Sequence, residues 1–399
     1  MKKFVSLLLA MLMLLSVLTA CASKPASTDS QTAQDTQTTE TTEPAEETEA
    51  DATTEEEQPA ETASSTSEGK RVVFLVNGNL GDKGFYDSCA EGIERLGSDY
   101  GCEIKIIEMG RDETAYETYF RDVSEQNWDL IVACTWSVQE VFEEVAADYP
   151  DQQYLFIDGE ITSPNMMGIT FRSYETAFMA GCLAALEIDN AAGNIDPEQK
   201  IAGFVGSMDI AAINDFLVGY IEGIQYIDDS IKVITSYVGS FEDVATCLEM
   251  TTQVYNQGAQ VVYAPASQSI VGAVTASRNC NKMLIGCDTD LYTMLVDTDP
   301  ELVANVVSSS LKKMGDAIVL AATGLWDGSK STGETYSMGL AEGAVGLADN
   351  DNFQALTTEE TRAQLEDIVS KVVSGEITVD TAYTMETAEV EALRESVKP

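Results

Sequence analysis

The stretch Val72-Val73-Phe74-Leu75-Val76-Asn77-Gly78-Asn79 decides the fold class. Five apolar residues without alternation read as a strand buried on both faces, and Asn-Gly-Asn reads as the loop at its carboxyl end. Working outward, residues 87–100 place Ala90, Ile93 and Leu96 on one helical face, and 103–108 form the next strand. A helix over 114–125, a strand over 130–133, a helix over 138–147 and a strand over 153–158 follow. Strands alternating with helices predict a parallel sheet covered by helices on both faces, an α/β architecture.

The pattern then restarts. Helices are expected over 175–188, 215–227, 242–257 and 269–280, and strands over 201–205, 231–237, 260–264 and 283–287. Two doubly wound units in series predict a cleft between them, with a ligand at the carboxyl ends of the strands.

The amino-terminal part differs from this globular region. Lys2 and Lys3 precede an apolar run over residues 4–18, closed by Leu18-Thr19-Ala20-Cys21. That is the anatomy of a secretory signal, too short and wrongly flanked for an ordinary spanning helix. Its ending resembles a lipoprotein signal over residues 1–20, with Cys21 the lipid-carrying terminus; a plain secretory signal is the other reading. Residues 22–70 hold 13 acidic residues against 2 lysines and lack Leu, Ile, Val, Met and aromatics. Such a segment cannot bury apolar surface and is expected to stay disordered, so that 21–70 would form an acidic tether.

Of the formal charge of −45, about −36 falls on residues 71–399. That acidity argues against nucleic acid as a partner, since phosphate backbones reward basic patches. Histidine is absent, which removes histidine-based triads, general bases and metal ligands. The seven cysteines after Cys21 show no metal-type spacing. Neither a metal nor a cofactor is expected.

The post-strand loops supply the candidate site. They carry aromatics (Phe85, Tyr86, Trp136), carboxylates (Asp82, Asp158, Asp209, Asp288, Asp290) and amides (Asn77, Asn79). Aromatic rings hold a flat group and carboxylates accept from hydroxyls and ring N–H groups, a set suited to a neutral, hydroxyl-rich, aromatic solute.

Several of these loops resemble one family. Gly81-Asp82-Lys83-Gly84-Phe85 resembles the first-loop signature of the basic membrane protein family of lipoproteins, purine nucleoside receptors that feed ABC importers. The stretch from Gly203-Phe204-Val205-Gly206-Ser207-Met208-Asp209-Ile210 through residue 223 is similar to its most recognisable segment. Ile285-Gly286-Cys287-Asp288-Thr289-Asp290 and Val306-Val307-Ser308-Ser309-Ser310-Leu311-Lys312 resemble two more, in the same order.

The resemblance implies a type I periplasmic-binding-protein fold of two lobes joined by three crossovers. The expected lobes are 71–172 with about 289–330, and 173–288 with about 331–399. It also implies an extracytoplasmic receptor, not an enzyme, that delivers a nucleoside to an ABC permease and its ATPase. By position, Asp288 would anchor the ribose with Lys312 beside it, holding the carboxylate ionised; Phe85 would stack on the base, with Trp136 where the family often has Phe and Tyr263 a second ring. Tyr86 stands where the family has Asn, and Asn77 where it has a base-contacting Asp. Asn both donates and accepts whereas ionised Asp only accepts, so the base stays open.

Each residue also has a plain structural reading. Phe85 fits a core staple, Trp136 a cover for the sheet end, Lys312 a solvated helix position, and Asp82 and Asp209 helix caps. A glycosidase using paired carboxylates, or a ligand-sensing surface lipoprotein, are the rival functions.

Overall fold

A computed structural model of the chain describes residues 67–81 and 84–399. Cys21, the signal-like segment, the acidic stretch before residue 67 and Asp82 lie outside the described residues. Among the described residues, no helix is long and apolar enough to cross a membrane.

Two six-stranded sheets organise the chain. The first holds β1 (Arg71–Val76), β2 (Glu103–Glu108), β3 (Leu130–Cys134), β4 (Tyr154–Ile157), β5 (Met166–Phe171) and β11 (Thr335–Met338). Their order is β11-β5-β4-β3-β1-β2, with every pairing parallel. The second holds β6 (Ile201–Gly206), β7 (Lys232–Tyr237), β8 (Val261–Tyr263), β9 (Met283–Asp288), β10 (Val306–Lys312) and β12 (Val345–Leu347), in the order β12-β10-β9-β8-β6-β7. Only β12 runs antiparallel there. The two-lobe α/β architecture expected from the sequence is what the chain adopts.

Helices α1 (Phe85–Ser98), α2 (Tyr116–Ser124) and α3 (Trp136–Asp148) belong to the first lobe. The second takes α4 (Ser173–Asp189), α5 (Ala211–Ile227), α6 (Val244–Asn256), α7 (Ile270–Cys280) and the short α8 (Leu291–Leu295). After β10 come α9 (Met314–Asp327), α10 (Asp351–Leu356), α11 (Glu359–Val373) and α12 (Thr387–Ser396).

The expected lobe boundaries need correction. The segment 289–330 was assigned to the first lobe, yet β10 pairs with β9 and so belongs to the second sheet. Conversely, β11 falls in the segment expected in the second lobe but pairs with β5 of the first. The second crossing is thus at residues 312–314, where β10 gives way to α9, a helix that packs on α1. The cause is local. Ser308, Ser309 and Ser310 put three polar side chains in the middle of β10, yet all three are buried. Their hydroxyls are bonded: Ser308 Oγ donates to Ala348 O (2.8 Å), Ser309 Oγ accepts from Leu291 N (3.3 Å), and Ser310 Oγ lies 2.7 Å from the Tyr263 hydroxyl. Satisfied hydroxyls sit in a sheet core at little cost.

Glycine lets the helices of the second lobe touch backbone to backbone. A Cβ on Gly223 of α5 would stand 2.0 Å from Phe178 O of α4, and one on Gly219 2.2 Å from Tyr174 O. Helix α4 is therefore covered by α5 on one side and by α11 and the sheet elsewhere, and its residues 176–188 are all buried. They include Glu187, at 1% exposure. The seven cysteines after Cys21 are unpaired, and all but Cys280 are buried.

Candidate functional site

Backbone strain marks the carboxyl ends of the strands. Six non-glycine residues among those described have positive φ, and four of them stand at this edge. Thr135 (φ 73°) follows β3, Asp158 (66°) follows β4, Ser267 (54°) lies in the loop after β8, and Asp288 (67°) ends β9. The left-handed region costs an L-residue energy, and such residues collect where side chains must be aimed at a site.

Lys312 is the centre of the arrangement. It ends β10 with its side chain 15% exposed, and its Nζ stands 3.3 and 3.4 Å from the two carboxylate oxygens of Asp158. Since Asp158 follows β4 and Lys312 ends β10, the ion pair joins the two lobes. The ammonium also lies 5.7 Å from the ring centre of Phe216 and 5.9 Å from that of Phe171. Burial alone would lower its pKa; Asp158, Asp288 and Cys287 outweigh that and hold it well above the ordinary value. Lys312 is charged at any physiological pH.

Asp288 stands opposite Leu311 in the β9–β10 register. Its carboxylate takes a 3.6 Å contact from the Cys287 thiol. Burial pushes its pKa up, Lys312 pulls it down, Asp158 pushes up again, and the net result is upward. Lys312 favours the ionised form of Asp288 and burial opposes it, while the ammonium's direct partner is Asp158. Lys312 is not on a solvated helix face, because it ends a strand. A cavity of about 350 Å³, lined by Asp288, Thr289, Lys312, Gly84 and Ser88 among others, opens between these strand ends and the start of α1.

The other expected residues divide into groups. Phe85 and Tyr86 open α1, half-buried, with ring centres 5.7 Å apart, and the Tyr86 hydroxyl donates to Asn77 O (3.3 Å). Trp136 begins α3 at 81% exposure, so it covers no sheet end. Asn77 is buried, and its amide nitrogen is committed to Thr135 Oγ1 (2.7 Å) and Ser137 Oγ (2.9 Å). It braces the β1 and β3 loops, leaving a solute at most its carbonyl oxygen.

Two expectations fail on geometry. Tyr263 is fully buried among Phe204, Phe216 and Tyr220 with its hydroxyl on Ser310, so it is core of the second lobe and no stacking surface. Asp209 does not cap α5, whose N-cap residue is Ile210; its side chain is half exposed but already partnered. It accepts from Asn214 Nδ2 (2.9 Å) and pairs with Arg394 Nη1 (2.9 Å), tying the β6 loop to α12.

Sequence reasoning passed over Asp158 and Phe216 as chosen residues, and Phe241 altogether. Phe241, 42% exposed, lies on the loop after β7, which by the same strand-end rule faces the cleft. Phe216 follows Asp215 in the second-lobe stretch quoted for the family, and Asp215 is buried with its Oδ1 accepting from Thr381 Oγ1 (2.5 Å) and Ala382 N (3.1 Å).

Comparison with known proteins agrees with this architecture. Basic membrane protein D of Borreliella burgdorferi is 30% identical over 305 residues, covering 73% of this chain and 83% of the relative. Basic membrane protein A of the same species is 26% identical over 320 residues, covering 78% and 88%. Among solved structures, an ABC transporter solute-binding protein from Aeropyrum pernix superposes with a TM-score of 0.64 at 24% identity, over 82% of this chain and 99% of that one. A second, from Conexibacter woesei, gives 0.65 at 18% identity, over 79% and 99%. Residues 69–381 match the Bmp family, described as ABC transporter substrate-binding protein PnrA-like. All but the ends of the described fold thus falls within one match, and the chain belongs to that family: it is an extracytoplasmic solute receptor that binds a small molecule for an ABC permease, and not an enzyme.

Proposed function

We propose that the solute is a nucleoside, held by its ribose at Asp288 and by its base between aromatic rings. The observation that carries this is the pairing of chemistries at one edge. Asp288 keeps acceptor capacity beside the Lys312–Asp158 pair, while Phe85 and Trp136 on the first lobe and Phe241 on the second offer ring faces. A carboxylate that accepts from two vicinal hydroxyls makes charge-assisted bonds, stronger than neutral ones. Bases stack on aromatic side chains whatever their edge pattern. Phe241 replaces Tyr263 as the second ring in this reading. The base itself is left open by Asn77.

The receptor is further proposed to hang from the membrane by a lipid on Cys21, on the strength of Leu18-Thr19-Ala20-Cys21. Mass spectrometry of the mature terminus checks this; an unmodified end elsewhere sinks it. Calorimetric titration with adenosine, inosine, uridine, free bases and pentoses tests the nucleoside reading. Tight binding of a free pentose with no response to any nucleoside would overturn it.

A further inference from the structure

Three short segments carry the chain between the lobes: 171–173 from β5 into α4, 312–314 from β10 into α9, and 338–345 from β11 into β12. In proteins whose two lobes close on a ligand, a few residues in such segments absorb the backbone change. The third segment is the longest and consists of turns, with Gly343 at φ 67°. Left to itself it would be the loosest of the three.

Arg172, in the first segment, ties the third one down. Its backbone N–H donates to Met338 O (2.8 Å) and its Nη1 to Ser337 O (2.8 Å). Its Nε pairs with Glu175 in the first turn of α4, and its Nη2 with Glu342 in the third segment. The two carboxylates complete the ring of bonds: Glu175 Oε2 accepts from Leu340 N (2.7 Å) and Glu342 Oε2 from Gly339 N (2.7 Å). Gly339 leaves the room for this, since a Cβ there would stand 2.2 Å from Glu175 Oε2 and 2.3 Å from Arg172 Nε. The second segment joins the same ring through Lys313 N, which donates to Ala344 O (2.8 Å). Arg172 and Glu175 are mostly withdrawn from water, at 20% and 12% exposure of their side chains. A planar guanidinium holds several acceptors at fixed angles, which an ammonium cannot do. None of the three charged side chains lines the cavity beside Asp288, so they do not touch the solute there.

We propose that Arg172 is a positioning residue for solute capture: its clasp with Glu175 and Glu342 locks the three crossings into one hinge. The lobes then close along a single arc, and the groups on the two sides of the cleft reach the solute together. Without the clasp the empty receptor samples lobe orientations in which those groups no longer converge. The loaded receptor, held by the solute from both sides, is affected less. Loss of the clasp therefore lowers the fraction of empty receptor that is competent to bind. A drop of about five-fold in that fraction raises Kd about five-fold, through slower association. This rests on the reading of the cleft as the solute site, and the solute used below on the nucleoside proposal.

The first readout needs no solute. Spin labels on Glu144→Cys of α3 and Glu249→Cys of α6, both exposed positions, report the distance between the lobes by pulsed electron paramagnetic resonance. A Cys280→Ala background removes the one native thiol that is not buried. Two variants break the clasp in different ways. Arg172→Lys keeps the charge but has a single nitrogen, and Gly339→Ala keeps every member but forces a methyl between them. Both should broaden the distance distribution of the empty protein and speed amide hydrogen exchange at residues 339 and 340. With adenosine and inosine, stopped-flow association should slow about five-fold in both, while release stays within about two-fold of wild type. A residue that only props up the fold would lower the melting temperature and leave association unchanged. Should either variant fail to melt cooperatively, Glu342→Gln, which removes the charge from one arm of the clasp, is read in its place. A wild-type protein that ignores both nucleosides and binds a pentose overturns the nucleoside reading alone; the rates are then read with the pentose, and the solute-free distances stand as they are. A wild-type distance distribution in the clasp variants, or association as fast as in wild type, overturns the positioning role of Arg172.

Discussion

Raising the pH from 5 to 8 should weaken the second lobe, with Glu187 a dominant cause. This residue sits in α4, whose neighbours on both sides are buried, and neither of its carboxylate oxygens has a hydrogen-bond partner. The Thr361 hydroxyl works against the burial, but it is shared with Thr358 (3.0 Å) and accepts from Asn190 Nδ2 (3.2 Å). No charged group from α5, α11 or the sheet contributes to the shift; burial drives it, from the ordinary 4.5 to about 7. The sign follows from linkage. Below about pH 4.5 the group is protonated folded or unfolded and does nothing. Between about 4.5 and 7 the unfolded chain releases the proton while the folded one keeps it, so stability falls as pH rises, and above 7 the loss is complete. The gap between 4.5 and about 7, at about 1.4 kcal/mol per pH unit, amounts to about 3 kcal/mol, to order of magnitude. Asp215, Glu222 and Asp288 also have raised pKa values and add to the slope, so the clean quantity is a difference. Urea unfolding of wild type and Glu187→Gln, followed by far-UV circular dichroism at half-unit steps from pH 5 to 8, supplies it. The wild-type minus variant stability should fall by about 3 kcal/mol across the range. A difference that stays flat would mean that the carboxylate finds a partner or solvent in the folded protein, and the reasoning would be wrong.

Three further outcomes are expected. Phe85→Ala and Phe241→Ala should each weaken nucleoside binding by about 1–3 kcal/mol in calorimetry; Tyr263→Ala should instead lower the melting temperature, since that ring is core, and unchanged affinity in both Phe variants would remove the sandwich. Asp288→Asn should cost about 1.5–3 kcal/mol for ribonucleosides and little for 2′,3′-dideoxy analogues, and equal losses for both classes would detach Asp288 from the ribose. Gly223→Ala drives a methyl to 2.0 Å from Phe178 O and should destabilise by about 3 kcal/mol or more, whereas Gly346→Ala, with open space around it, should be near neutral.

The alternation of apolar runs and amphipathic stretches carried the fold into view because each run is buried on both faces, as Val72–Val76 and Leu130–Ala133 are. It lost the second crossing where the buried strand was built from serine. Hydroxyl pairing across a sheet leaves no periodic trace, so β10 could not be told from a loop. The site was legible where a residue closes a recognised strand, as Asp288 does; Lys312 was reached only through the family resemblance, because its strand went unseen. It was misread where the answer depends on which face a side chain takes, as with Tyr263 in the three-residue β8. It was invisible where partners are far apart in sequence. The 185 residues between Asp209 and Arg394 hide the pair that occupies Asp209, and the 154 between Asp158 and Lys312 hide the bridge across the cleft.

The placement of β10 has a mechanical consequence. Lys312 is the last residue of that strand, and α9 of the first lobe starts two residues later. The cation that grips Asp158 is therefore at the fulcrum itself. A small shift of its ammonium away from Asp158 would act on the shortest arm of a lever whose long arms are the lobes. The outer rims, where a permease would read the loaded state, would then move further than the ammonium itself.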